Sequence, residues 1–413
     1  IRPYFEFLDA IEIDPTNPKR FTVYSKERYF RAEESSGQEA FILPEYHYDS
    51  EGIMRGYTLD QLNDPEQEAA LMRDPVLERF ANEFNSPKYN REPEFIVGCG
   101  PYQLTEWETN QRLVLERKTD WWGDKVKERR SLEAFPPRLV YRVISNMTAA
   151  ITSAKDGQID VIRSISPTRF IELKEDVKFS STFDLSTPDQ FAYHYIGMNT
   201  KRPIFKDKRV RRALAHLIDR DDMIGSIFEG LAIKTNGPIN PSKKYYNKAL
   251  EGIEYDPQRA QELLAEAGWK DSDGDNILDK VIDGKKVDFK IEYKYNQGNN
   301  ERKNIGQILK TEAQRAGVEV VLTPVEFVTL LEDADQRNFD MVALAWVKTP
   351  GLDDMKQVWH SDFDRPGGSN RVGFGTAESD QLIDQIRITL DEEKRNELYK
   401  KVQRIIYEEQ PYV

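Results

Sequence analysis

Short runs of alternating apolar and polar residues dominate the first half of the chain, and in the second half such runs take turns with helically spaced apolar positions. Arg20-Phe21-Thr22-Val23-Tyr24-Ser25 alternates after the turn signal Asp14-Pro15-Thr16-Asn17-Pro18 and predicts hairpin-like β structure. Leu59, Leu62, Ala69, Leu71, Leu77, Phe80 and Phe84 then recur with helical spacing, interrupted at Pro65 and Pro75. Alternation returns over 95–117, where Gly98-Cys99-Gly100-Pro101 marks the turn that opens a second hairpin. Arg138 to Ile144 reads as a strand and Asn146 as the cap of a helix that stops at Gly157; Asp160-Val161-Ile162 is expected to follow as a short buried strand. That order, strand–helix–strand, predicts an α/β unit.

The second half predicts a strand over 191–199, a helix from Lys208 to Phe228, and a helix from Asp256-Pro257 to Gly268. A strand over 289–293, a helix from Asn300 to Ala316 and a strand over 318–322 complete a βαβ-like unit. Phe339 to Trp346 is apolar without alternation, as expected of a strand buried on both faces. One long amphipathic helix is expected over about 377–409.

Composition narrows the function classes. A chain of 413 residues predicts two or three domains. Its 59 Lys and Arg against 72 Asp and Glu give a net charge of −13, so the average field repels nucleic acid, and no nucleic-acid partner is expected. The densest basic runs, 206–212 and 125–130, are short and interrupted, and read as solvated faces. Cys99 stands alone, which excludes an intrachain disulfide, and no apolar run approaches the roughly 20 residues of a membrane span.

Candidate chemistry is sparse. His47, His194, His216 and His360 are the histidines, and none sits in a nucleophile–base frame; no Gly-x-Ser-x-Gly elbow and no phosphate loop is present. Asp271, Asp273, Asp275 and Asp279 place carboxylates at positions 1, 3, 5 and 9 of a calcium-loop-like string, but Ile282 holds the twelfth position and Gly274 the fourth, so a solvated turn is the expected reading. No cofactor is expected. With 6 Trp, 19 Tyr and 20 Phe, aromatic residues such as Tyr193, Tyr195 and Trp346 fall at predicted strand ends, where they suit the wall of a binding cleft.

Taken in order, several of these strings resemble family 5 solute-binding proteins of ABC importers, the dipeptide- and oligopeptide-binding type. Gly98 to Tyr102 followed by Leu115 to Trp122, then Asp156 to Asp160, then Gly197-Met198-Asn199 with Pro203 to Leu214 and Ile218-Asp219-Arg220, carry the likeness; Ala260 to Trp269 and the tail 380–411 extend it. The resemblance implies an α/β fold of the two-lobe periplasmic-binding-protein type II kind with an extra small domain, both chain ends reading as truncated. The expected division is 1–90 for the end of the small domain and a helical connection, 91–190 for a first-lobe segment, and 191–413 for the ligand-binding second lobe.

The resemblance implies no enzymatic activity. The expected role is capture of a peptide, oligopeptide rather than dipeptide, by lobe closure, and delivery to a membrane permease by a monomeric periplasmic or extracytoplasmic protein, lipid-anchored through a segment upstream of residue 1. Tyr193, His194, Tyr195, Trp346, Thr349, Asp353, Asp354, Asn370 and Arg371 are the expected ligand-lining residues. Peptide receptors of this type often place an acid soon after the Trp that Trp346 matches; Thr349 stands there, with Asp353 and Asp354 next in line and Arg371 suited to a ligand carboxylate. The alternatives are a nickel complex or an oligosaccharide as ligand, or a hydrolase working in the aromatic cleft.

Overall fold

The computed structural model describes residues 5–17, 19–39, 42–126 and 128–413, so Pro18 of the first turn signal and Lys127 of the second basic run lie outside the described residues. The chain divides into two units: Leu8–Lys26 with Ser35–Ile165, and Ser166–Val413 with Glu27–Glu34 and the N-terminal piece ending at Phe7.

In the first of these, Leu8–Ile13 (β1) and Phe21–Ser25 (β2) form the expected antiparallel hairpin, its loop braced by the Asp14 carboxylate accepting from the Thr16 and Asn17 N–H groups. Tyr102–Glu108 (β3), Arg112–Arg117 (β4) and Arg138–Arg142 (β5) make an antiparallel sheet in the order β3-β4-β5. The Gly98-to-Pro101 turn is tied to the Trp121-Trp122 pair, since both indole N–H groups donate to the Cys99 carbonyl at 2.9 Å. Gly123 is required there: a Cβ would sit 2.3 Å from the Trp121 ring. Asn146 caps the helix Met147–Lys155 by accepting the Ala149 N–H. The buried strand expected at 160–162 does not form; Val161 is 76% exposed and pairs with no ladder, so the strand–helix–strand unit is not closed at this point.

The second unit is built on a sheet of order β10-β9-β11-β6, from Ala192–Met198 (β6), Lys290–Asn296 (β9), Glu319–Val325 (β10) and Met341–Val347 (β11). A small hairpin of Asp279–Ile282 (β7) and Lys285–Asp288 (β8) precedes β9. β9 runs parallel to β10 and β11, and β6 is antiparallel to β11. The last residues add to the free edge of β6: Ile196 and Val413 exchange backbone hydrogen bonds, and Met198 N–H donates to the Pro411 carbonyl. One face of the sheet packs Ile196, Met198, Met341 and Ala343 against Leu214, Leu264 and Leu309 of three helices, Lys208–His216, Pro257–Glu266 and Asn300–Arg315. The other packs Tyr195, Val342 and Leu344 against Leu330, Ile383, Tyr399 and Ile406 of Phe327–Asp335, Ala377–Ile388 and Glu392–Glu409. Helices on both faces explain why β11 is apolar without alternation. Each fully buried Leu contributes about 1.5–3 kcal/mol.

Two expected helices are each broken by an aspartate. Asp219 takes the N–H groups of Asp221 and Asp222 and starts a new helix, Arg220–Ser226, instead of continuing Lys208–His216. Asp391 accepts from Lys394 N–H and separates Ala377–Ile388 from Glu392–Glu409, while the Arg395 guanidinium donates to the Thr389 and Leu390 carbonyls at the break. In both places a short carboxylate competes with the i→i−4 ladder and wins because it satisfies donors that would otherwise be orphaned.

Candidate binding site

In α/β sheets ligands bind outside the carboxyl ends of the parallel strands, where the following helices begin and present their open N–H groups. In the Ser166–Val413 unit that rim is formed by the ends of β9, β10 and β11 and by the start of β6, which runs the other way. Antiparallel pairing sets Tyr193 opposite Trp346 and Tyr195 opposite Leu344, so Tyr193, Tyr195 and Trp346 share one face. Tyr412 from the C-terminal tail stacks on Tyr195 at 4.0 Å between ring centroids, and its hydroxyl accepts from the Trp346 indole N–H at 3.3 Å. The Arg371 guanidinium lies 5.4 Å from the Trp346 ring, held by a 2.7 Å bond from its Nε to Asp335. Burial pushes the phenols of Tyr193, Tyr195 and Tyr412 up, so all are neutral hydroxyls at neutral pH, and the buried Tyr193 hydroxyl has no hydrogen-bond partner among the described residues.

His194 points to the opposite face, beside Phe228 at 5.7 Å. Although it retains solvent access, burial of its ring and the nearby Arg302 charge lower its pKa, which favours the neutral imidazole.

Beyond Trp346 the chain wraps around one ammonium group. Lys243 Nζ donates to the Thr349 carbonyl at 3.2 Å, the Gly351 carbonyl at 2.6 Å and the Asp353 carboxylate at 2.8 Å, using all of its donors. Tyr245 donates to the same carboxylate. Thr349 is exposed at the crest of this loop.

The acids expected to face a ligand are engaged elsewhere. Asp353 is spent on Lys243 and Tyr245, and Asp354 on Tyr29, Arg387 and the Lys356 N–H; both are buried. Asn370 is fully buried, its amide donating to the His360 and Phe374 carbonyls, so it fixes its own loop and has no surface to offer. The carboxylate-rich loop closes on itself. Asp271, Asp273 and Asp275 come within 4.8 Å of one another, all exposed, but Asp271 accepts the Gly274 and Asn276 N–H groups and Lys286 supplies a cation to Asp273. Asp279 turns to Ser272 instead of joining them. Sequence reasoning missed Lys243 and Tyr412. Lys243 sits in a Lys-Lys-Tyr-Tyr string that reads as surface, and Tyr412 lies more than 200 residues from its stacking partner Tyr195, a contact no local pattern reveals.

The model of the bacterial extracellular solute-binding proteins, family 5 (middle), matches residues 7–368. The chain is 31% identical to the oligopeptide-binding protein AppA of Bacillus subtilis over 342 residues, 82% of this chain and 58% of that protein. It is 24% identical to heme-binding protein A of Haemophilus influenzae, over 77% of this chain and 54% of that one. The chain thus spans little more than half the length of these curated relatives. Among solved structures it is similar to Bacillus subtilis AppA in complex with a nonapeptide, with a TM-score of 0.74 and 26% identity over 99% of this chain and 72% of that one. NikZ from Campylobacter jejuni in complex with Ni(L-His) has the same fold, with a TM-score of 0.74 and 21% identity over 99% and 72%. The architecture is therefore of the periplasmic-binding-protein type II kind, and the chain belongs to the bacterial extracellular solute-binding proteins of family 5.

Proposed function

We propose that this chain is the ligand-binding part of an extracytoplasmic receptor that captures a peptide for an ABC importer and does no chemistry on it. The observation that carries the reading is the rim of the second unit, where Tyr193, Trp346 and Tyr412 form an aromatic platform with Arg371 stacked on it and Thr349 exposed at its edge. Such a surface holds ligands of varied side chain by area and backbone hydrogen bonds, at little entropic cost because aromatic rings have few rotamers. The 31% identity to an oligopeptide-binding protein supports a peptide of several residues over a dipeptide. The ligand then passes to a membrane permease, and the receptor acts as a monomer.

A second reading, a metal chelate as cargo, is favoured by His194, a solvent-accessible imidazole biased to its neutral, ligating form at the same rim. Native mass spectrometry of the protein purified under gentle conditions separates the two. A series of peptide masses released on unfolding is expected; a single metal-containing mass, or no stabilisation by broad peptide pools, would replace the first reading.

A further inference from the structure

We propose that Lys348, just past the end of β11 and beside the aromatic platform, selects ligands by charge, so that the receptor prefers peptides with acidic side chains. The inference rests on the peptide reading above and names the class of peptide.

Val347 ends β11 opposite Ala192, and Lys348 carries the ladder one step further by donating its N–H to the Phe191 carbonyl. It lies two positions after Trp346, so its side chain leaves the strand on the face of Trp346 and Tyr193. Thr349, exposed, follows it. A ligand lying on the platform therefore meets Lys348 at the edge.

The acids around this amine already have their cations. Among the described residues the one carboxylate within 4 Å of Lys348 Nζ is Asp353, whose Oδ1 stands at 3.9 Å, beyond hydrogen-bond reach, while its Oδ2 accepts from both Lys243 and Tyr245. Asp354 has Arg387, and Glu34 has Arg31. Lys348 Nζ makes no hydrogen bond to a described residue, and its side chain keeps 20% exposure, so the amine is both short of partners and open to a ligand. Burial lowers its pKa; the Asp353 carboxylate opposes that fall and Lys243 deepens it. An incoming carboxylate offsets the desolvation and the repulsion of Lys243 together, whereas a ligand ammonium meets like charge. Lysine suits this work, because its ammonium is a point charge with three rotatable donors and accepts a carboxylate from more than one direction.

The test uses the full chain and peptide pools that are N-acetylated and C-terminally amidated throughout, so that only side chains carry charge. One pool holds Glu, a second Gln and a third Lys at the same positions. The wild type should bind the Glu pool roughly 10-fold more tightly than the Gln pool, as expected of one charge-assisted contact, and the Lys pool more weakly than either. Lys348→Gln should bring the Glu and Gln pools within about threefold of each other, Lys348→Arg should keep the preference, and Lys348→Glu should reverse it toward the Lys pool. Because Lys348 Nζ holds no hydrogen bond, Lys348→Gln should keep Tm within about 2 °C of the wild type. A Glu preference that is absent, or that survives in Lys348→Gln, overturns the proposal and leaves the peptide reading standing. A fall in Tm as large as that of Lys243→Met also overturns it, by making Lys348 a structural partner of Asp353. Acetate is then titrated against chloride at constant ionic strength into protein with 13C-labelled lysine, the Lys348 Cε signal being assigned by its loss in Lys348→Arg. Acetate should move that signal, and a signal indifferent to both acetate and the Glu pool counts against the contact. If acetate moves it while no pool binds, the peptide reading falls and the anion contact at Lys348 stands.

Discussion

Lys243 should be the residue on which the loop after Trp346 is built. Its side chain and that of Asp353 are 7% and 5% exposed, and they meet at 2.8 Å. Replacing Asp353 by Asn removes the carboxylate and leaves the largely buried ammonium with the Thr349 and Gly351 carbonyls. Breaking a buried pair on one side costs about 3–5 kcal/mol, because the surviving charge stays buried. Lys243→Met should cost a similar amount, since Asp353 then keeps only Tyr245 and, at 3.9 Å, Lys348. In the double variant neither charge is stranded, so the loss should fall short of the sum by about 2 kcal/mol. Urea unfolding followed by Trp fluorescence gives these energies, and thermal melts should show each single variant lower by roughly 6–12 °C for a 3 kcal/mol loss. Strict additivity, or a cost of Asp353→Asn below about 1 kcal/mol, would show that the ammonium is solvated and the loop is held by something else.

Gly306 faces β9 from the Asn300–Arg315 helix, and a Cβ there would stand 2.6 Å from the Tyr293 ring and 3.0 Å from Leu322. Gly306→Ala should therefore cost about 1–3 kcal/mol by overpacking, in spite of a gain in helix propensity of about 1 kcal/mol; a stabilised variant in urea would refute the contact. Acid stability should depend on Asp333. Desolvation pushes its carboxyl up, but hydrogen bonds from Lys294 at 2.8 Å and Asn338 at 2.9 Å outweigh it and leave the pKa below the ordinary value of 3.8. A depressed folded pKa means the unfolded chain binds the proton more readily, so the stabilisation is present above about pH 4 and is lost as pH falls through the folded value. Asp333→Asn should flatten the fall of Tm below pH 4 and lower Tm at pH 7; an unchanged acid slope would remove Asp333 from the account.

The longer strands were the more legible part of this chain, because the alternation that opens β3 and the unbroken apolar run of β11 report on which faces are covered, whereas the short apolar pair Val161-Ile162 reported falsely. Helix ends were less so. Asp219 and Asp391 lie within apolar spacing that continues past them, and only the competition between a carboxylate and the backbone ladder, settled by tertiary packing, decides for a break. At the site, the aromatic rim at Tyr193 and Trp346 could be read from strand ends, whereas the fates of Asp353, Asp354 and Asn370 could not. A buried acid and a ligand-facing acid have the same letter, and the difference lies in Lys243, Tyr29 and Arg387, each distant in sequence.

The strings that carry the family likeness turn out to solve backbone problems. Asn199 donates to the Arg337 and Phe339 carbonyls and so ties the end of β6 to the approach of β11. Arg211 donates to the Phe205 and Glu409 carbonyls and pairs with the Glu409 carboxylate, closing the turn before one helix on the end of another. Gly197 leaves room for Val372, 3.0 Å from where its Cβ would be. A buried carbonyl without a donor is costly whatever the ligand, so these residues are demanded by the fold and say nothing of cargo. Cargo must be chosen by side chains whose hydrogen-bonding or stacking capacity the fold leaves unused. Among the described residues of the second unit's rim these include the Tyr193 hydroxyl, the exposed Thr349 and the His194 imidazole. Exchange at these positions should alter ligand preference with little effect on stability, whereas exchange at Asn199 or Arg211 should do the reverse.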